Sequence, residues 1–337
     1  MLNENKNLQN KSRMRRIWRG FLVFLKENTG ILAGLVLLCL VLIIYDAVVG
    51  RAAFLSKNNI MNVLRQTATN LYIACGMTMV IILGGIDLSV GSVIALSGVV
   101  TSGFIAFSGA SLGAALAAGL GTGVVFGAFN AVIISKTTIP PFIVTLSTMN
   151  IARGAAYLYT DGQPVRVMSD SFNFIGSGYI KDIPMPVIYL IFIVAGAQII
   201  LTRTRLGRHI YAVGGNPLAA RFSGVKNDRV TFFVYLFSGV LSAFAGIVLA
   251  SRMFSGQPTA GQGAEMDAIA AVVLGGTSMS GGVGKISGTV IGALIIGVLN
   301  NGLNLLNINS FWQFVVKGVV ILIAVYVDFV KKQKSAK

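Results

Sequence analysis

Apolar residues run along this chain in blocks of about twenty, separated by polar or glycine-rich breaks. The blocks fall at 30–49 and at about 64–84, 88–107, 111–134, 141–160, 185–201, 230–251, 265–280, 287–306 and 312–330. Each approaches the ~20 residues that an α-helix needs to cross a hydrocarbon layer of about 30 Å. Membrane β-barrels read instead as short segments of alternating polarity. The pattern therefore predicts an all-α polytopic membrane protein, with about ten transmembrane helices over residues 30–330. The blocks 88–107 and 265–280 are the most interrupted. The first block is longer than a signal-peptide core and no small-residue cleavage site follows it, so it reads as a retained helix.

Composition agrees. Of 337 residues, 55% are hydrophobic and 11% charged, against roughly 25% charged in a soluble domain. Too few polar side chains exist to cover a water-facing surface, and disorder needs the opposite bias. The net charge of +16 is concentrated. Seven bases and two acids lie in 1–29, six bases and one acid in 201–230, and four bases and one acid in 328–337. Positive charge beside apolar spans marks cytoplasmic segments, and this placement argues for lipid rather than nucleic acid as the basic chain's surroundings. An arm 1–29, a loop 202–229 and a tail 331–337 are then cytoplasmic, as an even number of spans requires. Loop 161–184 falls outside, with Asp161, Asp170 and Asp182 against Arg166 and Lys181.

The motif LGGxxxSxG occurs twice, at 83–91 and 274–282, an offset of 191. A GxxN pair, at 127–130 and 297–300, has an offset of 170. Two related halves are expected, and sequence does not distinguish parallel from inverted. Gly-Gly before polar residues interrupts a helix, and broken helices at matching places in two halves point to a solute path.

Polar residues inside the spans are the path candidates: Asn70, Asp87, Ser89, Asn130, Ser147, Asn150, Tyr157, Asn300 and Asn304. Ser147, Asn150, Gly154 and Tyr157 share one helical face. Amides and hydroxyls both donate and accept, which suits a neutral polyhydroxylated solute. Asp87 and Arg153 are costly in hydrocarbon; pairing with each other is the expectation, a place for Arg153 near an interface the alternative.

Catalytic chemistry has little to stand on. Cys39 and Cys75 sit in apolar runs without a disulfide framework, and a lone His209 makes no metal site. Gly284-Lys285 is followed by Ile286, and Met279 stands where a Walker A loop needs glycine. No HExxH is present. In the basic loop, Asn216 can cap a helix with Pro217 at its first position, and Gly224 can end it. A short helix over 217–223 is predicted.

The stretches GGIDLSVGSVIALSG (84–98), PPFIVTLSTMNIARGAAYLYTDGQPV (140–165), YAVGGNPLAARFSGV (211–225) and EMDAIAAVVLGGTSMSGGVGKISGTVIGALIIGVLNNGLNLL (265–306) resemble the permease subunits of bacterial ABC importers for monosaccharides, the ribose/xylose/galactoside group. FWQFVVKGVVILIAVYVD (311–328) extends the likeness. It covers nearly the whole chain from about residue 60. The resemblance implies a multi-pass subunit of the cytoplasmic (inner) membrane with no cofactor of its own. It also implies a cytoplasmic ABC ATPase partner that uses ATP and Mg²⁺, an extracytoplasmic sugar-binding protein and a second copy of the chain. The ATPase-coupling segment would be Gly215, Asn216, Pro217, Ala219, Ala220, Arg221 and Gly224, with Ala219 and Ala220 seated in a groove of the ATPase. A secondary carrier is the rival, and a nucleoside or signalling furanose the rival solute.

Overall fold

The structure, a computed structural model, describes residues 29–49 and 53–335. The expected arm 1–29, Thr29 aside, and the side chains of the tail 331–337 lie outside the described residues. In chain order the helices are α1 Thr29–Val48, α2 Lys57–Ile82, α3 Val90–Ala106, α4 Leu112–Lys136, α5 Pro141–Thr160, α6 Asp170–Ser177, α7 Met185–Arg203, α8 Arg205–Gly215, α9 Pro217–Phe222, α10 Asn227–Arg252, α11 Ala264–Leu274, α12 Ile286–Leu305 and α13 Ser310–Ser335. Two antiparallel ribbons lie in the connections. β1 Val165–Arg166 pairs with β4 Ser255–Gly256, and β2 Tyr179–Ile180 pairs with β3 Ile183–Pro184.

Each apolar block has become a helix, and the fold is that of an all-α polytopic membrane protein. Among the described residues, five helices are long and apolar enough to cross a bilayer: α1, α4, α7, α10 and α12. The others are shorter or more polar, so length and composition alone do not reach the expected ten. Local chemistry sets the ends. Ser56 and Ser111 side chains accept from the Asn59 and Ala114 amides, and Pro141 opens α5, where its missing N–H is not needed.

Helices α2 and α10 form the centre. Every residue of α2 from Leu71 to Ile82 is buried, so this half-helix is apolar all round, as a helix packed on all sides must be. Against α10 lies α4, closer than side chains allow. A Cβ at Gly123 would sit 2.4 Å from the Gly239 carbonyl oxygen, the small-residue contact that brings membrane helices together.

The repeated motif is real as a turn, with one correction. Helix α2 ends with Gly84 at φ +91° and α11 with Gly276 at φ +83°. The Gly84 and Gly85 amides donate to Ile81 and Val80 carbonyls, and the Gly276 and Thr277 amides to Val273 and Val272. These matching left-handed caps are 192 residues apart, one more than the motif's own register. The GxxN pair is not part of the repeat. Asn130 lies on the second helix after its break and Asn300 on the first.

The interrupted block 265–280 is the broken span. Helix α11 has 11 residues, ~16 Å at 1.5 Å per residue, about half the hydrocarbon. Its approach, 253–263, runs through strand β4 and then a series of turns, and folds in along α3. A Cβ at Gly256 would meet Gly98 and Ser102, and one at Gly261 would meet Gly91 and Ile94. Irregular backbone at that depth needs partners inside the protein. Arg153 supplies two: its Nη1 donates to the Pro258 and Ala260 carbonyls at 2.7 and 2.8 Å.

Candidate functional site

The expected pairing of Asp87 with Arg153 is not what the structure shows. Asp87, in the break between α2 and α3, is buried. Its Oδ1 accepts from the Ser89 amide at 3.0 Å and the Ser89 hydroxyl at 2.6 Å, and its Oδ2 from the Ser238 hydroxyl of α10 at 2.8 Å. Asn130 of α4 donates to Ser89 Oγ at 3.0 Å, and Thr148 of α5 donates to Asn130 Oδ1 at 2.6 Å. Five side chains thus tie the first break to three helices. Three of them are path candidates, but buried and mutually satisfied they hold the break in place and do not line an open route. Asp87 is met by hydroxyls and an amide, and Arg153 by carbonyls with Glu265 as its strongest acting charge, so the two do not pair with each other.

The α5 candidates stand apart. Ser147 and Asn150 return their hydrogen bonds to their own helix, at Ile143 O and Leu146 O. With Gly154 and Tyr157 they form an exposed polar strip, flanked by exposed Phe142, Ile151 and Leu158. The remaining candidates join neither group. Asn70 is half-buried, and its Oδ1 has no hydrogen-bond partner. Asn300 donates to Asp267 Oδ2 at 3.3 Å, beside the Lys317–Asp267 ion pair at 2.9 Å. Asn304 accepts from Gln313 at 2.8 Å.

At one end of the bundle, α8 and α9 make a separate knob. Thr204 caps α8 through the Gly207 amide at 3.2 Å, and Asn216 caps α9 through the Ala219 amide at 3.0 Å. Pro217 is the first residue of α9, and Gly224, at φ +84°, lies just past its end. The cap, the proline and the glycine fall where the sequence puts them, with the helix ending at Phe222 instead of residue 223. Ala220 departs from expectation. It is 5% exposed and packs into this chain's own core, so it does not enter a partner. The outward face carries Ala219, Arg221, Leu218 and Phe222, the last two 69% and 89% exposed. Sequence reasoning passed over Leu218 and Phe222, although two large apolar residues at i and i+4 in a basic loop were a visible signal. Gly215 is exposed beside them.

The knob touches both breaks. Tyr211 of α8 donates to the Gly284 carbonyl at 2.7 Å, and burial raises its phenol above the usual tyrosine pKa. Gly214 lies so close to the end of α2 that a Cβ there would be 1.8 Å from the Ile82 carbonyl oxygen.

The family model described as branched-chain amino acid transport system / permease component matches residues 59–325. The chain belongs to this family of transport permeases. It is a multi-pass protein of the bacterial inner membrane. The permease is 50% identical to the ribose import permease protein RbsC of Bacillus subtilis, over 84% of this chain and 88% of that one. It is 45% identical to RbsC of Haemophilus influenzae, over 90% and 94% of the two chains. With the xylose transport system permease protein XylH of H. influenzae it shares 34%, over 87% and 95%. No solved structure matches. These relatives are transport components and not enzymes. Among the permease's described residues, no cluster of His, Cys, Asp or Glu is arranged to hold a metal ion.

Proposed function

We propose that this permease is the membrane-spanning subunit of an ATP-binding cassette importer and carries a ribose-like monosaccharide into the cell. The observation that carries the solute class is the 45–50% identity to ribose import permeases over most of the chain. The family description names branched-chain amino acids, but the relatives at this identity are named for ribose. Apart from Asp87, the path candidates are amides and hydroxyls, which suit a polyhydroxylated solute better than a leucine side chain.

ATP and Mg²⁺ are used by a separate cytoplasmic subunit, since the Walker A pattern fails at Met279 and Ile286. That subunit docks on α9. Leu218 and Phe222 are its apolar anchors and Arg221 its charged rim, with Gly215, Asn216, Pro217, Ala219 and Gly224 shaping the knob. Ala220 holds α9 on the bundle. The knob end is cytoplasmic and carries the basic loop; a sugar-binding protein delivers solute at the other end.

A second copy completes the path. Ser147, Asn150, Gly154 and Tyr157 are costly against lipid tails, and a facing copy would enclose them in a polar route. Irregular backbone at the breaks supports the same reading.

Proteoliposomes holding the permease, its ATPase and its binding protein test the proposal. The expected outcome is ATP-dependent accumulation of labelled ribose, competed by xylose and not by leucine. Leucine uptake without ribose uptake would refute the solute class. Uptake abolished by a protonophore at constant ATP would establish the secondary carrier instead.

A further inference from the structure

Arg65 and Arg252 lie within electrostatic reach of each other at the end of the bundle opposite the knob, and among the described residues no carboxylate is ion-paired with either. Arg65 is on α2, about 12 Å along the helix from Lys57, and Arg252 is the last residue of α10. The Arg65 guanidinium lies over the Tyr179 ring, 4.5 Å from its centroid. Its Nε is buried without a hydrogen-bond partner. The charges felt most strongly at Arg252 are Arg65 itself and the phenol of Tyr72, whose hydroxyl already donates to the Pro186 carbonyl. Asp182, on the β2–β3 turn beside Tyr179, is taken by Lys57 at 3.3 Å. Among the described residues, neither arginine has an ion pair.

Like charges held together where water is scarce repel and need a counter-ion. Nothing in the described chain provides one. The planar guanidinium fork matches phosphate oxygens in pairs. Beside Arg65 the β2–β3 ribbon presents exposed Tyr179, Ile180 and Ile183, with the exposed Lys57–Asp182 pair at its turn. An aromatic ring among aliphatic side chains at a helix end is the chemistry of a membrane–water boundary. That setting favours a lipid headgroup over a free ion, because the glycerol and upper acyl chain gain contacts that a free anion cannot make.

We propose that Arg65 and Arg252 together bind the phosphate of an anionic phospholipid at this boundary, and that the lipid fastens the ends of the two central helices, α2 and α10. The site is independent of the solute carried and of the ATPase partner.

The test is the melting temperature of the full-length protein in detergent with added phosphatidylglycerol, phosphatidylcholine or sodium phosphate. The variants are Arg65→Gln, Arg252→Gln and, as a control at the knob end, Arg229→Gln. Phosphatidylglycerol is expected to stabilise the wild type and Arg229→Gln, and to lose this effect in the other two. Equal shifts in all four proteins, or none in the wild type, overturn the proposal. A full shift with sodium phosphate alone assigns the pair to a free anion and overturns the lipid. If the glutamine variants do not fold, Arg252→Lys keeps the charge without the fork. Native mass spectrometry should then show phosphatidylglycerol retained about tenfold more weakly than by the wild type; equal retention overturns the proposal.

Discussion

The backbone amide of Gly282 donates to the carbonyl of Ile82 at 2.8 Å. Ile82 is the last residue of α2, and its carbonyl is one of those that a helix end leaves without an intrahelical partner. Gly282 belongs to the break after α11. The two broken helices therefore meet through backbone, and Gly214 of α8 presses on the same carbonyl. A displacement of the knob has to move both breaks, because at Ile82 the three elements are in contact with no side chain between them. Tyr211, bonded to Gly284, adds a second link from α8 to the second break.

Glycines 214 and 215 separate contact from local backbone preference. A Cβ at Gly214 would lie 1.8 Å from Ile82 O and 2.9 Å from the Gly282 amide, while one at Gly215 would meet nothing within 4 Å. Gly214→Ala is expected to destabilise by ~1–3 kcal/mol, the usual cost of overpacking, and to reduce transport. Gly215→Ala should be tolerated. Melting temperature and uptake in the same membranes measure both, and equal behaviour of the two variants would contradict the junction.

Docking on α9 is tested by its exposed face. Phe222→Glu and Leu218→Glu leave the permease core untouched and place charge where an apolar partner surface should seat. Normal membrane levels with loss of binding-protein-stimulated ATP hydrolysis are expected. Wild-type hydrolysis in both variants would remove α9 from the coupling route. Ala220→Glu does not make this distinction, since a charge at a buried position damages the fold itself.

The fold was legible in the sequence where the cause is local. Hydropathy placed the long helices because lipid demands a length and a composition, and Asn216, Pro217 and Gly224 marked α9 because capping involves near neighbours. Partnerships across the bundle were not legible. Asp87 and Arg153 looked like natural partners by charge alone. The structure satisfies Asp87 with Ser238 from α10 and Arg153 with carbonyls of 253–263, and nothing in hydropathy says which helices adjoin. The repeat's register slipped by one residue because Leu-Gly-Gly reads alike in both copies, while the left-handed position falls on the first glycine in one and the second in the other. Ala220 was misplaced for a similar reason: a small residue reads the same whether it faces a partner or its own core.

Independent environments for Asp87 and Arg153 have an energetic consequence. Asp87→Asn turns a pure acceptor into a group that presents N–H to the Ser89 or Ser238 hydroxyl, and Arg153→Gln removes a clamp on the irregular segment. Each loss is expected to be ~1–3 kcal/mol, the range for leaving a buried polar group unsatisfied. The double variant should show additive losses within about 0.5 kcal/mol. A coupling energy above that, with recovery in the double variant, would restore them as partners.

Membrane orientation is open to direct chemistry. Ser171 on α6 and Ser223 after α9 are both exposed and lie in connections that the charge pattern assigns to opposite sides. In a background with Cys39 and Cys75 replaced by alanine, an impermeant maleimide on intact cells should label Ser171→Cys and spare Ser223→Cys until the membrane is opened. The reverse pattern would invert the protein and remove α9 from the cytoplasm.

The polar strip on α5 can be set against its lipid-facing flank at a single depth. Asn150 and Ile151 are consecutive and both exposed, but about 100° apart around the helix. Gly154 and Tyr157 fall on the Asn150 side, whereas Ile151 turns toward Leu158. If a second copy encloses the strip as a hydrated route, a charged thiosulfonate should modify Asn150→Cys and leave Ile151→Cys unmodified, because a thiol in hydrocarbon neither ionises nor meets the reagent. Modification of Asn150→Cys should also slow uptake, by placing a bulky charge in the route. Equal reaction at both positions would mean that this face of α5 is simply open to water. Protection of both, in the resting and the transporting state alike, would place it against lipid and move the path to another helix.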